Sequence, residues 1–170
     1  MASVLKVDTI KSLAGNEAIT ISEGGVPQLK VPIFRVYRTT NQTLTSNTTA
    51  VVQWNSVSLD PNGWWDAVNY RWQPQIAGYY WLSTILHLSG SAAPTRRIIT
   101  IIPTGDDEIR AFDDNISASI NIRTGGGIAY FNGTTDYVSV SVTVTATSPI
   151  VTGVAGGSYA RFEGFLVRAA

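Results

Sequence analysis

Along most of this chain apolar and polar residues alternate one for one. That is the period of a strand with one buried face, and no stretch carries a convincing helical period. The clearest run is Val138, Val140, Val142 and Val144, with small hydroxyl residues between them. After Gly78 the alternation is as plain: Tyr80, Leu82 and Thr84 share one face, and Tyr79, Trp81, Ser83 and Ile85 the other. Further strands are expected at 33–38, 50–57, 96–102, 108–112, 117–123, 128–131 and 159–167, with a short one at 70–72 that Pro74 closes. Turn residues punctuate them: Pro61-Asn62-Gly63, a loop at 90–94, Gly125 to Gly127, Asn132-Gly133 and a last large loop at 148–157. Many short strands broken at regular intervals by Gly, Pro and Asn predict an all-β, antiparallel β-sandwich.

Residues 1–32 read differently. They hold every lysine of the chain (Lys6, Lys11 and Lys30) and no aromatic residue. Val4, Leu5, Val7 and Ile10 fit one short strand, Ile19 and Ile21 a second, with Ala14-Gly15-Asn16 between them, and Gly24-Gly25 breaks the pattern. Two such strands do not stand alone. The segment is either an anchoring arm that adds strands to a neighbouring protein through those apolar residues, or a loose hairpin lying on its own domain. The expected division is an arm over 1–32 and one globular domain over 33–170.

Composition narrows the function classes. The chain has no Cys, so disulfides and thiol catalysis are excluded. Its formal net charge is +0, with 14% charged residues, and no basic excess marks a nucleic-acid binder. So few charges favour a chain that hides surface in an assembly. No run is long enough for membrane insertion, and no apolar leader is expected at the N-terminus. The single His, His87, lies within a strand and has no second His for a metal pair; Gly125 to Gly127 is followed by neither Lys nor a helix. No catalytic constellation appears, so an enzyme is not expected. Asp106-Asp107-Glu108 and Asp113-Asp114-Asn115 are either solvated loop carboxylates or oxygen ligands for calcium, the one cofactor in view. Arg35, Arg38, Arg96 and Arg97 are too sparse for a nucleic-acid track and are expected in ion pairs at strand ends or between subunits.

One constellation is more specific than composition. Trp54, Asp60, Trp65, Trp72 and then Gly78-x-Tyr80-x-Leu82 stand at the intervals found in the C1q-like domain family, and Phe162-x-Gly164-Phe165-Leu166 resembles that family's closing strand. Thr134-Thr135-Asp136-Tyr137-Val138 resembles its Gly-Asp-x-Val run, with Thr at the Gly position. The resemblance covers about residues 33–168. It implies a jelly roll that assembles as a compact homotrimer, with aromatic and aliphatic residues at the three-fold axis. It also assigns Trp65 to the core, which leaves Trp64 as the candidate surface aromatic for a neighbouring subunit, a sugar or a receptor. Residues 1–32 lack a Gly-X-Y period, so a collagen stalk is not implied.

The arm has a resemblance of its own. Residues 3–10, Gly15-Asn16, residues 18–21 and Gly24-Gly25-Val26 look like the N-terminal segment of structural proteins of tailed bacteriophages, marine and cyanobacterial ones among them. Together the two resemblances imply a virion protein assembled in the host cytoplasm. The expected role is a capsid decoration, or cement, protein whose arm docks on the major capsid protein or another virion protein. The other reading is a tail-fibre knob or receptor-binding tip that recognises a host surface glycan or protein.

Overall fold

A computed structural model describes residues 8–11, 17–25, 27–90, 95–114, 120–123, 126–157 and 159–170. The chain divides into two units between Val31 and Pro32. The first contains β1 (Thr9–Lys11), β2 (Glu17–Ile21) and β3 (Pro27–Leu29), an antiparallel sheet in that order. Ile10 pairs with Ile19, and Ile21 with Pro27, so Ile10, Ile19 and Ile21 share one face. Ile10 is exposed there; Val4, Leu5 and Val7 lie outside the described residues. The third strand was not expected. Gly24-Gly25 only turns the chain: Gly25 donates to Ser22 O at 2.8 Å with φ +75°, and Pro27 is tolerated as the first residue of the strand that follows.

The second unit holds β4 (Ile33–Tyr37), β5 (Gln42–Thr43), β6 (Ala50–Val51), β7 (Ser56–Leu59), β8 (Trp65–Asp66), β9 (Arg71–Trp72) and β10 (Gly78–Ser89). There follow β11 (Arg96–Pro103), β12 (Ile109–Asp114), β13 (Ile120–Arg123), β14 (Gly127–Phe131), β15 (Val138–Thr145), β16 (Ile150–Val151) and β17 (Ala160–Ala169). No helix occurs among the described residues. The larger sheet runs β5-β16-β10-β17-β4-β7, with β13 and β14 also paired to β10; the smaller runs β12-β11-β15-β9-β8, with β6 on β15. Every pairing is antiparallel.

β10 is the spine. Leu82 pairs with both Gly127 and Gly164, and Leu88 with both Ile120 and Val151, so β17 and then β16 lie along one edge, β14 and then β13 along the other. Tyr80, Leu82, Leu86 and Leu88 face the core, as the alternation requires, and Val138 to Val144 meet them from β15 with Ile99 and Ile101 of β11. Burying such side chains contributes about 1.5–3 kcal/mol each, which is what binds the two sheets.

One expected element is absent. Residues 50–57 do not form a single long strand. Ala50–Val51 pair with β15 in the smaller sheet and Ser56–Leu59 with β4 in the larger, so the chain changes sheets between them. Val52 and Trp54 are buried at the crossing, where Val52 N donates to Val140 O at 2.8 Å. A strand that passes between layers keeps its apolar alternation, and for that reason it reads as one element in the sequence.

Candidate interaction surfaces

Most of the aromatic constellation forms the core. Trp72 is fully buried and touches three rings: Phe34 at 4.4 Å, Tyr80 at 5.3 Å and Trp64 at 5.9 Å between centroids. Trp54 stacks on Phe162 at 6.0 Å, and Tyr80 meets Phe131 edge-on at 5.5 Å. Tyr80 donates its hydroxyl to Ile76 O at 2.8 Å, and burial pushes the phenol up to about 12. Asp60 fixes the turn that launches this stretch: its Oδ2 accepts Trp65 N at 2.8 Å and its carbonyl accepts Gly63 N at 3.1 Å. Gly78 and Gly164 are sites of close approach. A Cβ on Gly78 would run into the backbone of Arg168, and one on Gly164 would sit 2.7 Å from Trp81 O and 2.8 Å from Phe34.

Two expected placements are corrected. Trp64 and Trp65 are both half-buried against the core, Trp65 stacking 6.4 Å from Phe34. β8 begins at Trp65, so the alternation that would send the rings to opposite faces does not reach Trp64. Phe165 is not a core residue: it is 44% exposed. Phe162 and Gly164 point inward, so pleating turns Phe165 outward.

Phe165 belongs to a row that crosses the solvent-facing side of the larger sheet. Ile128, Trp81, Phe165 and Ile33 are register partners on β14, β10, β17 and β4. Gly126 lies so close to the Trp81 ring that no side chain fits between them. The next row is polar. Arg35 Nε donates to Glu163 at 2.7 Å, and Arg161 Nε stands 3.3 Å from the same carboxylate. Trp81, Phe165, Ile33 and Leu59, with Arg35 and Glu163, line a groove of about 290 Å³.

The candidate chemistry is scattered. His87 Nδ1 lies 2.9 Å from Thr152 Oγ1 and the ring stacks on Tyr159 at 5.1 Å. Burial, with the nearby charge of Arg97 second, holds it below its ordinary value. Asp106 spends its oxygens on Tyr130 N and Asp107 N, each at 2.8 Å, and Glu108 pairs with Arg110 at 2.7 Å. The side chains of Asp113 and Asp114, and all of Asn115, lie outside the described residues. Among the described residues no three His, Cys, Asp or Glu side chains gather as a metal site.

A second groove, of about 300 Å³, had no signature in the sequence. Trp54, Asn55, Ser56 and Val57 come from the sheet crossing and the start of β7, Trp65 from β8, and Tyr70 from the turn between β8 and β9. Asp66 builds that turn, accepting Val68 N and Asn69 N at 3.0 Å and Arg71 Nε at 3.1 Å. Tyr70 sits in it with φ +54°, a left-handed backbone that a bulky residue rarely adopts. Arg38 does not make the ion pair expected of it. It is 5% exposed, and its guanidinium donates to Thr40 O at 3.1 Å and Asn41 O at 3.3 Å.

No family model matches the chain, and no curated protein does. Solved structures do. The globular domain of zebrafish complement 1qA protein superposes with a TM-score of 0.60 at 18% identity, covering 83% of this chain and 100% of that one. The crystal structure of murine APRIL at pH 5.0 gives 0.59 at 11% identity, and that at pH 8.0 gives 0.58 at 12%; each covers 81% of this chain and 100% of the other. Identities this low speak for the fold alone. The antiparallel two-sheet sandwich, with its first and last long strands side by side, therefore has the jelly-roll fold of C1q/TNF-type domains.

Proposed function

We propose that this chain is a non-enzymatic structural protein of a tailed-bacteriophage particle: a homotrimeric capsid decoration protein that docks by its N-terminal unit and ties shell subunits together. The observation that carries the self-association is the row Ile128, Trp81, Phe165 and Ile33, an apolar band across four strands on the solvent side of the larger sheet. Its members Ile128 and Phe165 are exposed in the single chain. Contiguous apolar surface of this kind marks an association site, and covering it contributes about 25 cal/mol per Å². The low charge of the chain agrees with such hiding of surface. The virion role rests on the resemblance of residues 3–26 to phage structural proteins. In this reading the exposed Ile10 face of the small sheet meets the shell, and three attachments per trimer add avidity.

The test takes the purified chain, whole and lacking residues 1–31, and incubates each with phage shells stripped of decoration proteins. Sedimentation gives the oligomeric state, electron microscopy the binding sites, and thermal release of DNA the reinforcement. A whole-chain trimer that fills many symmetric sites and raises the release temperature, while the shortened trimer does not bind, supports the proposal. A monomer, or no binding of either form, overturns it, and adhesion to host cells becomes the next assay.

A further inference from the structure

The small sheet β1-β2-β3 has two outer edges, and its register shows which backbone groups each one presents. Ile21 N donates to Asp8 O at 2.9 Å, so Ile21 directs its peptide groups towards β1. Along an antiparallel ladder residues alternate between bonding their partner and facing away from it. Thr9 pairs with Thr20, one step from that bond, so the N–H and C=O of Thr9 point away from β2. On that side no further strand lies among the described residues. Ile21 also pairs with Pro27. Because Ile21 is turned to β1, the backbone of Pro27 faces the outer edge of β3, where proline has no N–H to offer. The two edges are therefore unequal. β3 carries a residue that blunts an edge, whereas β1 keeps a backbone donor and acceptor in place.

β1 is also accessible. Asp8, Ile10 and Lys11 are exposed and Thr9 is half-buried. A strand laid along this edge pairs with Thr9 and sets a residue of its own beside Ile10, whose side chain is 47% exposed. In such an addition backbone hydrogen bonds supply affinity, and side chains at alternate positions supply the choice of partner. A second copy is a poor occupant. β1 against β1 is a two-fold contact, which would join two trimers face to face and leave no arm for a shell. We infer that β1 is the docking edge of the N-terminal unit: at Thr9 it takes up an extended segment of a shell protein, one without proline at the paired position and with an apolar residue opposite Ile10. The inference rests on the decoration role and deepens it, since it names the strand that makes the contact.

The experiment binds the whole chain to phage shells stripped of decoration proteins and follows its backbone amides by hydrogen exchange. In the free chain the Ile21 N–H, bonded to Asp8 O, should exchange slowly and the Thr9 N–H fast. On the shell Thr9 should slow by about tenfold or more, as one added hydrogen bond supplies. Thr9→Pro removes that donor at an edge position, and proline holds the preceding Asp8 in the extended region a strand needs. It should weaken shell binding by about tenfold or more while Ile21 stays protected. Thr9→Val keeps the N–H and should bind as the wild type does. Three results overturn the inference and leave the decoration role standing: Thr9 already protected in the free chain, Thr9 unslowed on the shell, or Thr9→Pro bound as tightly as the wild type. Hexamers in sedimentation overturn it in favour of pairing between copies. A wild-type chain that binds no shell overturns both. Should Thr9→Pro lose the protection at Ile21, the wild-type exchange of Thr9 decides.

Discussion

Trp72 is a sharp single-residue probe of this core, since its ring touches Phe34, Tyr80 and Trp64 at once. Trp72→Ala should cost about 3–5 kcal/mol in urea denaturation, by lost transfer energy and the cavity left behind. Gly164→Ala fails for the opposite reason. Its methyl has no room between Trp81 O and Phe34, and overpacking should cost about 1–3 kcal/mol by the same measurement. His87 gives a pH dependence. Its folded-state value lies below the ordinary 6.5, so the unfolded chain binds the proton more readily. Stability is unaffected by this group above 6.5 and declines as pH falls below that value, until the folded-state value is passed. The melting temperature should be lower at about pH 5 than at about pH 7.5, and His87→Gln should narrow the gap in calorimetry. At this scale the sequence was informative where pleating decides: Tyr80, Leu82 and the Val138 to Val144 series point where alternation sends them. It was mute on Arg38 and misleading on Phe165 and Trp64. The first depends on where a charge ends up, the others on which face, and which residue, begins a pleat.

Among elements, legibility follows length. The long strands β10, β15 and β17 were readable because each repeats its period, and β11 because its run of isoleucines is apolar on both faces. Pairs such as β5, β6 and β16 are two residues long and carry no period, and the crossing from β6 to β7 imitates an uninterrupted strand. The sequence therefore announced a sandwich without showing where the chain changes layers, and the groove at Trp54 and Tyr70 arises at that change. The apolar row of the larger sheet can be tested as a unit. Phe165→Glu places a charge in the middle of it, on a residue already exposed to water. For the proposed trimer, sedimentation should show monomers in its place while circular dichroism keeps the β-sheet spectrum. Loss of the spectrum along with the assembly would mean that Phe165 supports the fold itself.

For the molecule as a whole, the division between Val31 and Pro32 carries an expectation. A chain of residues 32–170 should melt within a few degrees of the whole chain, because β4 to β17 supply their own core. A large drop in calorimetry would show that the small sheet is structurally required. The fold class was legible because the alternating strands and their turns predict a sandwich, and because an aromatic constellation and a closing strand stand at intervals that resemble those of C1q-like domains. The biological setting was not legible in that way. It rests on residues 3–26, whose pattern is too short to be tied to any physical requirement.

β17 fills the place between β4 and β10. Arg35 and Glu163, which face each other across that seam, are 128 positions apart in the chain. While the polypeptide is being synthesised, β4 and β10 leave the ribosome long before their shared neighbour exists. The larger sheet cannot close until β17 has emerged, and its closure is a folding step of high contact order, expected on a timescale of roughly milliseconds to seconds. Until then two apolar strand edges stand open, and nascent chains crowded on one message are exposed to mispairing with each other. The yield of soluble protein should therefore depend on how fast the message is translated.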